Sequence, residues 1–245
     1  NMVGAVVGVQ PFGGEGLSGT GPKAGGPLYL LRLLSQRPAD ALARTFADAD
    51  RATPPEDAVR ERLLAPLATL QQWAQLQGNA ALASTCQRFA RQTQSGTART
   101  LHGPTGERNV YTLAPRARVL CLAQSVDDLL TQTAAVLATG GTALWPNAQA
   151  SLRAQLHTLV QAQVMLQDNT LNDGTLELDA VLHHGDTPSL QAVCTALTRR
   201  AGPIVGATAL QPGATDIPLE RLMIERALSV NTAAAGGNAS LMTIG

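Results

Sequence analysis

The side chains able to do chemistry in this 245-residue chain are few and scattered. Histidines stand at 102, 157, 183 and 184, cysteines at 86, 121 and 194, and a carboxylate pair at Asp127 and Asp128. Neighbouring strand residues point to opposite faces, so His183 and His184 do not close on one metal ion, and His102 and His157 are distant in sequence. The cysteines are widely spaced among small or apolar neighbours, which predicts buried, reduced core thiols of a cytosolic protein. Asp127 and Asp128 read as the start or cap of the helix that follows them. A thiol beside a base, ligands at metal-site spacing and a G-x-G-x-x-G behind a strand are all missing, so no catalytic, metal or cofactor-binding residue is expected. What remains is backbone chemistry: QPFGGEGLSGTGPKAGGP, residues 10–27, is glycine-dense and follows the apolar opening NMVGAVVGV. Such density suits a loop that passes very close to a ligand, a cofactor or another chain. Glu15 and Lys23 within it read as solvated loop charges.

The elements that would position these residues follow from periodicity. Leu28, Leu31 and Leu34 recur at helical spacing, and residues 38–56, with paired prolines, read as linker. Residues 57–91 predict a helical hairpin broken at Gly78. From residue 96 the period changes: an alternating run at 109–113, an apolar run at 119–123, an amphipathic helix at 126–138 and a strand at 142–145 make a βαβ unit. A helix at 148–163, a strand at 164–166, a strand at 176–182 reaching His183 and His184, a helix at 189–200, a strand at 204–207 and a last helix at 218–226 continue the alternation. The pattern predicts an α/β fold, Rossmann-like, with a mostly parallel, doubly wound sheet.

Composition sets outer limits. A chain of this length buries roughly 75% of its unfolded surface, so a sizeable core is available. Eighteen basic and eighteen acidic residues cancel, so no footprint for nucleic acid or an anionic membrane is present. The uncharged runs 129–152 and 227–245 are interrupted by Gln, Asn, Ser and Thr and do not read as membrane spans. Residues 2–9 lack the basic start of a signal peptide. An apolar segment at residue 1 suggests a fragment whose amino-terminal part is missing.

The glycine loop carries a resemblance. PFGGEGLSGTG resembles the carboxy-terminal PFGG-x-x-x-SG signature of aldehyde dehydrogenases, and GVQPFGGEGLSGTGPKAGGPLYL is similar to its form in the pyrroline-5-carboxylate (glutamate semialdehyde) dehydrogenase module of the bifunctional proline utilization A family. SVNTAAAGGNASLMTIG at the far end resembles the terminal motif of that family's longer members. The resemblance implies that residues 1–37 end the dehydrogenase domain, with the catalytic cysteine, its base and the cofactor domain upstream. It implies that Gly4 and Ala5 offer backbone N–H groups to the substrate carboxylate and that Phe12 flanks the aliphatic chain; the alternative for Gly4 and Ala5 is that they only permit tight packing. Backbone donors can bind a carboxylate without a cationic side chain.

Residues 103–146 are similar, more weakly, to the start of an aldehyde dehydrogenase cofactor domain. The family's Pro-Trp-Asn segment is replaced by AQSVDD at 123–128, and the lysine that contacts the cofactor ribose by Trp145. The implied architecture is 38–99 as linker and helical hairpin, 100–228 as a degenerate aldehyde dehydrogenase-like domain and 229–245 as a docking tail. The resemblance further implies NAD and FAD in the parent enzyme and none bound here, glutamate semialdehyde as substrate, the upstream dehydrogenase domain as partner, and a homo-oligomer. It also implies a cytoplasmic location, peripheral to the inner membrane through the flavoprotein part. The piece would then be an anchor loop plus a noncatalytic lid that aids substrate channelling, inactive on its own. The competing reading is a Rossmann-like module that binds a nucleotide or metabolite in the crevice at its strand ends.

Overall fold

The structure is a computed structural model and describes residues 10–19, 21–34, 37–38, 40–47, 52–53, 57–101, 106–168, 171 and 176–231. Gly4, Ala5, His102 and residues 232–245 of the tail lie outside them.

In chain order the elements are α1 (Ala41–Ala47), β1 (Ala52–Thr53), α2 (Asp57–Leu76), α3 (Ala80–Gln92), β2 (Ala98–Leu101), β3 (Glu107–Pro115), β4 (Arg118–Leu122) and α4 (Val126–Thr139). There follow β5 (Thr142–Pro146), α5 (Ala150–Gln155), α6 (Thr158–Gln161), β6 (Val164–Gln167), β7 (Ala180–His184), α7 (Thr187–Thr198), β8 (Gly206–Leu210) and β9 (Met223–Asn231). The fold is α/β and Rossmann-like: a parallel five-stranded sheet, β6-β5-β4-β7-β8, stands beside an antiparallel four-stranded sheet, β1-β2-β3-β9.

The parallel sheet winds outward from β4 in both directions, so its switch point lies between β4 and β7. Its strands alternate between two cores. Val119, Cys121, Ala143, Trp145 and Leu182 face α4, whereas Leu120, Leu144 and Val181 meet Val193 and Leu197 of α7. Helix α4 is buried from Asp128 to Thr139, because α2, α3 and the sheet cover it on several sides, and apart from Asp128 and Gln132 its buried residues are accordingly apolar or small. Gly140 ends it at φ 84°, and a Cβ there would lie 2.8 Å from Leu63 Cδ1 of α2. The apolar clusters around α4 and under β3 are continuous, so the two sheets share one main core.

Several sequence expectations shift. The linker at 38–56 holds α1 and β1. The helix expected at 148–163 is a 3-10 turn, Asn147–Gln149, then α5 and α6; the chain extends at His157, whose ring Nδ1 accepts the Leu159 N–H at 3.2 Å and starts α6 afresh. The strand expected from 176 begins at Ala180; just before it the Asp179 N–H donates to Arg118 O at 2.9 Å and the Asp179 carboxylate takes the Arg118 N–H at 2.8 Å. The strand expected at 204–207 is β8, and the last helix, 218–226, is a 3-10 turn, Leu219–Leu222, followed by β9. Cys86 and Cys121 are buried, but Cys194 is exposed on the outer face of α7. Among the described residues no helix is long and apolar enough to cross a membrane.

Candidate functional site

The glycine loop lies against β9, the strand at one edge of the antiparallel sheet, and holds it from both faces. Within the loop, Phe12 and Ala24 exchange backbone hydrogen bonds of 3.1 and 2.8 Å, closing residues 12–24 into a ring. Lys23 turns inward: its side-chain Nζ donates to Gly13 O at 2.6 Å and Gly14 O at 3.3 Å, bracing the ring across its middle. On the inner face of β9 the Lys23 N–H donates to Glu225 Oε2 at 2.7 Å. On the outer face Arg226 forks onto Glu15, with Nε to Oε2 at 3.1 Å and Nη2 to Oε1 at 2.5 Å. Gln10 Nε2 adds a bond to Glu107 Oε1 of β3 at 2.8 Å. Lys23 is buried, so it is not the solvated charge that loop composition suggests, whereas Glu15 is a solvent-exposed charge as expected and pairs with Arg226 at the surface. The Arg226 guanidinium, through its hydrogen bonds, holds the Glu15 carboxyl below the usual carboxylate range.

Glu225 is the residue sequence reasoning missed. The β3–β9 register sets Leu113 opposite Glu225 and Tyr111 opposite Ala227, so Tyr111 reaches diagonally along one face to its neighbour's carboxylate. The Tyr111 O–H donates to Glu225 Oε1 at 2.7 Å, and both residues are buried. Burial pushes the Glu225 carboxyl up, opposed by Tyr111 and by the Lys23 and Leu28 N–H groups. The loop approaches so closely that a Cβ on Gly26 would lie 2.7 Å from Glu225 Oε1. The alternation of β3 was readable in the sequence, but nothing there pairs Glu225 with Tyr111. Phe12 stands at the closure of the ring, across from Ala24, with 47% of its surface exposed. A cleft of about 640 Å³ opens between the loop, β9 and the start of β8, with Arg32, Arg116 and Ile204 on its wall.

The second candidate is the crevice at the switch point. As strand alternation requires, His183 and His184 fall on opposite faces of β7. His184 faces α4: Gln132 Nε2 donates to Leu122 O at 2.9 Å and lies 2.9 Å from His184 Nδ1, which makes Nδ1 the acceptor and leaves Nε2–H to donate to Ala214 O at 2.8 Å. His183 lies on the α7 side, with Nδ1 unpartnered among the described residues, and burial holds its imidazole below the usual value against the pull of Asp186. Asp128 does not cap α4. Ser125 Oγ does, accepting the Asp128 N–H at 3.1 Å, while Asp128 Oδ1 takes the Gly213 N–H at 2.9 Å.

A dinucleotide pyrophosphate docks on a bare helix N-terminus in such a fold. Here the first turn of α4 carries Asp127 and Asp128, and Asp186 caps α7 through Ser189 N at 2.9 Å. Trp145 is buried, its Nε1–H on Thr133 Oγ1 at 2.9 Å, and faces the core rather than the crevice. These residues do not fit a dinucleotide. Nor do the two buried thiols fit a nucleophile: burial pushes Cys86 up to about 12 and Cys121 further still.

No family model matches the chain. It is 55% identical over 248 aligned positions to the bifunctional protein PutA of Salmonella typhimurium, 53% over 247 to that of Escherichia coli and 38% over 255 to that of Rhizobium meliloti. Each alignment covers 100% of this chain but only 18%, 18% and 19% of the relative. Among solved structures, proline utilization A with proline bound in remote sites aligns at a TM-score of 0.49 and 21% identity, covering 71% of this chain and 21% of that one. The NAD+ complex of a Bacillus cereus aldehyde dehydrogenase aligns at 0.45 and 16%, covering 70% and 42%. From end to end, the chain is similar to one segment of the much longer bifunctional PutA proteins.

Proposed function

We propose that this chain is the carboxy-terminal part of a bifunctional oxidoreductase of proline catabolism, which takes proline to glutamate through pyrroline-5-carboxylate and glutamate semialdehyde. Residues 1–37 end the NAD-dependent semialdehyde dehydrogenase domain, and 38–99 are linker and hairpin. Residues 100–228 are a noncatalytic lid and assembly domain that aids channelling, and 229–245 dock as a tail. FAD and NAD are held by the rest of the protein, a cytoplasmic homo-oligomer. Gly4 and Ala5 offer N–H groups to the substrate carboxylate, and Phe12 walls its aliphatic chain.

The observation that carries this reading is the similarity to PutA along the whole chain, and the loop geometry supports it. The anchors of the glycine loop fall on β3 and β9, while the Phe12 ring is left facing outward. A scaffold that fixes a loop's backbone and leaves one aromatic free is what a substrate wall requires.

The test is Phe12→Ala in the full-length protein. Losing the apolar contact of one aromatic, about 1.5–3 kcal/mol, should lower kcat/KM for glutamate semialdehyde by roughly tenfold or more and leave proline oxidation with an artificial electron acceptor unchanged. Unaltered semialdehyde kinetics in the folded variant would remove Phe12 from the pocket and overturn the reading of this loop. The isolated chain should not oxidise the semialdehyde with NAD, because its described thiols are buried and unactivated or lack a base.

A further inference from the structure

We infer that Glu225, held by Tyr111, is a positioning residue for the aldehyde site: it fixes the far end of the glycine loop and thereby sets where Phe12 stands. The inference rests on the function proposed above and assigns to the carboxy-terminal strand a role beyond covering a passage.

Three observations lead to it. First, Glu225 is a buried carboxylate whose described partners serve the loop and its brace. One oxygen takes the Lys23 N–H at 2.7 Å, and the other takes the Tyr111 O–H at 2.7 Å. A buried acid on a β strand is costly unless it does something a hydrophobe cannot, and here it fastens a segment 202 residues away in sequence. Second, Lys23 links the fastening to Phe12. Its backbone N–H meets Glu225, its side chain holds Gly13 and Gly14, and the adjacent Ala24 pairs with Phe12 itself. A shift of the Lys23 backbone therefore reaches Phe12 through two short paths. Third, the close approach is built in from the loop side, since any side chain at Gly26 would strike Glu225 Oε1 at 2.7 Å. The outer ion pair, Glu15 with Arg226, is exposed and cannot replace this anchor, because surface pairs contribute little.

The experiment uses the full-length protein and four variants: Glu225→Ala, Glu225→Gln, Gly26→Ala and Phe12→Ala. Losing this anchor should raise KM for glutamate semialdehyde by roughly tenfold or more in Glu225→Ala, about 1.4 kcal/mol or more. The value of kcat should stay within about twofold, well under 1 kcal/mol. Glu225→Gln keeps an oxygen for Lys23 N–H, and its amide can donate to a Tyr111 hydroxyl turned the other way, so it should recover most of the lost affinity. Gly26→Ala, which displaces the carboxylate without removing it, should raise KM in the same direction. Proline oxidation should be unchanged in all of them. A merely structural role would lower the active fraction, and so kcat, at unchanged KM. If Glu225→Ala does not fold, Gly26→Ala and Glu225→Gln carry the test. Wild-type KM in Glu225→Ala or, failing that, in Gly26→Ala, with KM raised by Phe12→Ala, overturns the inference and spares the function proposed. Wild-type KM in Phe12→Ala, or a parent protein that does not oxidise the semialdehyde, overturns both.

Discussion

Lys23 and Glu225 illustrate what a single residue can be made to do by its surroundings. In the sequence Lys23 is a lone cation among glycines; in the fold it is buried, because Gly13 and Gly14 turn two carbonyls toward its ammonium. That placement was not legible, since the partners are backbone groups and leave no mark in composition. Phe12 and the glycine loop were legible, as motif and as density. Glu225 also sets a pH dependence whose sign follows from burial. Its folded-state pKa is raised above the ordinary carboxyl value of 4.5, so its contribution to stability is present below that value and is lost as pH rises through the folded pKa. Glu225→Gln does not titrate. The melting temperature of the variant relative to wild type should therefore climb as pH is taken from 4.5 toward neutrality. A difference that stays constant across that window would mean that the carboxyl is not raised by burial.

At the scale of elements, the apolar runs forecast the buried strands well and the boundaries poorly. Strands β4 and β5 sit within a residue of their apolar segments, because a parallel strand covered on both faces must be apolar throughout. Residues 218–226 read as a helix on local periodicity, yet β3 offers nine antiparallel pairs from Met223 to Asn231, and long-range pairing outweighs a weak local preference. The start of α4 was half legible, since Asp127 and Asp128 do lie in its first turn but neither is its cap. Two aspartates look like caps, but the Ser125 hydroxyl precedes them at the right spacing, which frees Asp128 to tie the loop at Gly213 to the helix. Ser125→Ala should cost about 1 kcal/mol. Asp128→Ala, which leaves the Gly213 N–H without its described acceptor, should cost about 1–3 kcal/mol. Asp127, whose carboxylate meets only an exposed Asn79 amide among the described residues, should cost less than either. Urea denaturation of the three variants checks the order, and a larger loss at Asp127 than at Asp128 would restore the capping role that sequence assigns to it.

At the scale of the molecule, alternation of helices and strands foretold a doubly wound sheet but not its strand order, because nothing local says that β7 crosses back to the far side of β4. Nor did it foretell that the antiparallel sheet would be closed by the last described strand. That closure redraws the tail. Ser229, Val230 and Asn231 pair with Asn109, Arg108 and Glu107, so they belong to the sheet that holds the glycine loop, and a cut at 229 would remove part of that sheet together with the tail. A cut after Asn231 separates them. The segment that follows carries no charge and little bulk, with Leu241, Met242 and Ile244 as its apolar residues. Small residues allow a backbone to run flush against another surface, as a docking tail on the dehydrogenase module requires. If it seals the passage for the intermediate, deleting residues 232–245 from the full-length protein should introduce a lag before NADH appears when proline is the substrate. Proline oxidation assayed alone should be nearly intact, and so should the KM for added semialdehyde, because β9 and its hold on the loop survive the cut. A truncated protein with no lag and wild-type coupled rates would show that the seal lies elsewhere. A raised KM for added semialdehyde would show instead that the tail supports the aldehyde site and not the passage.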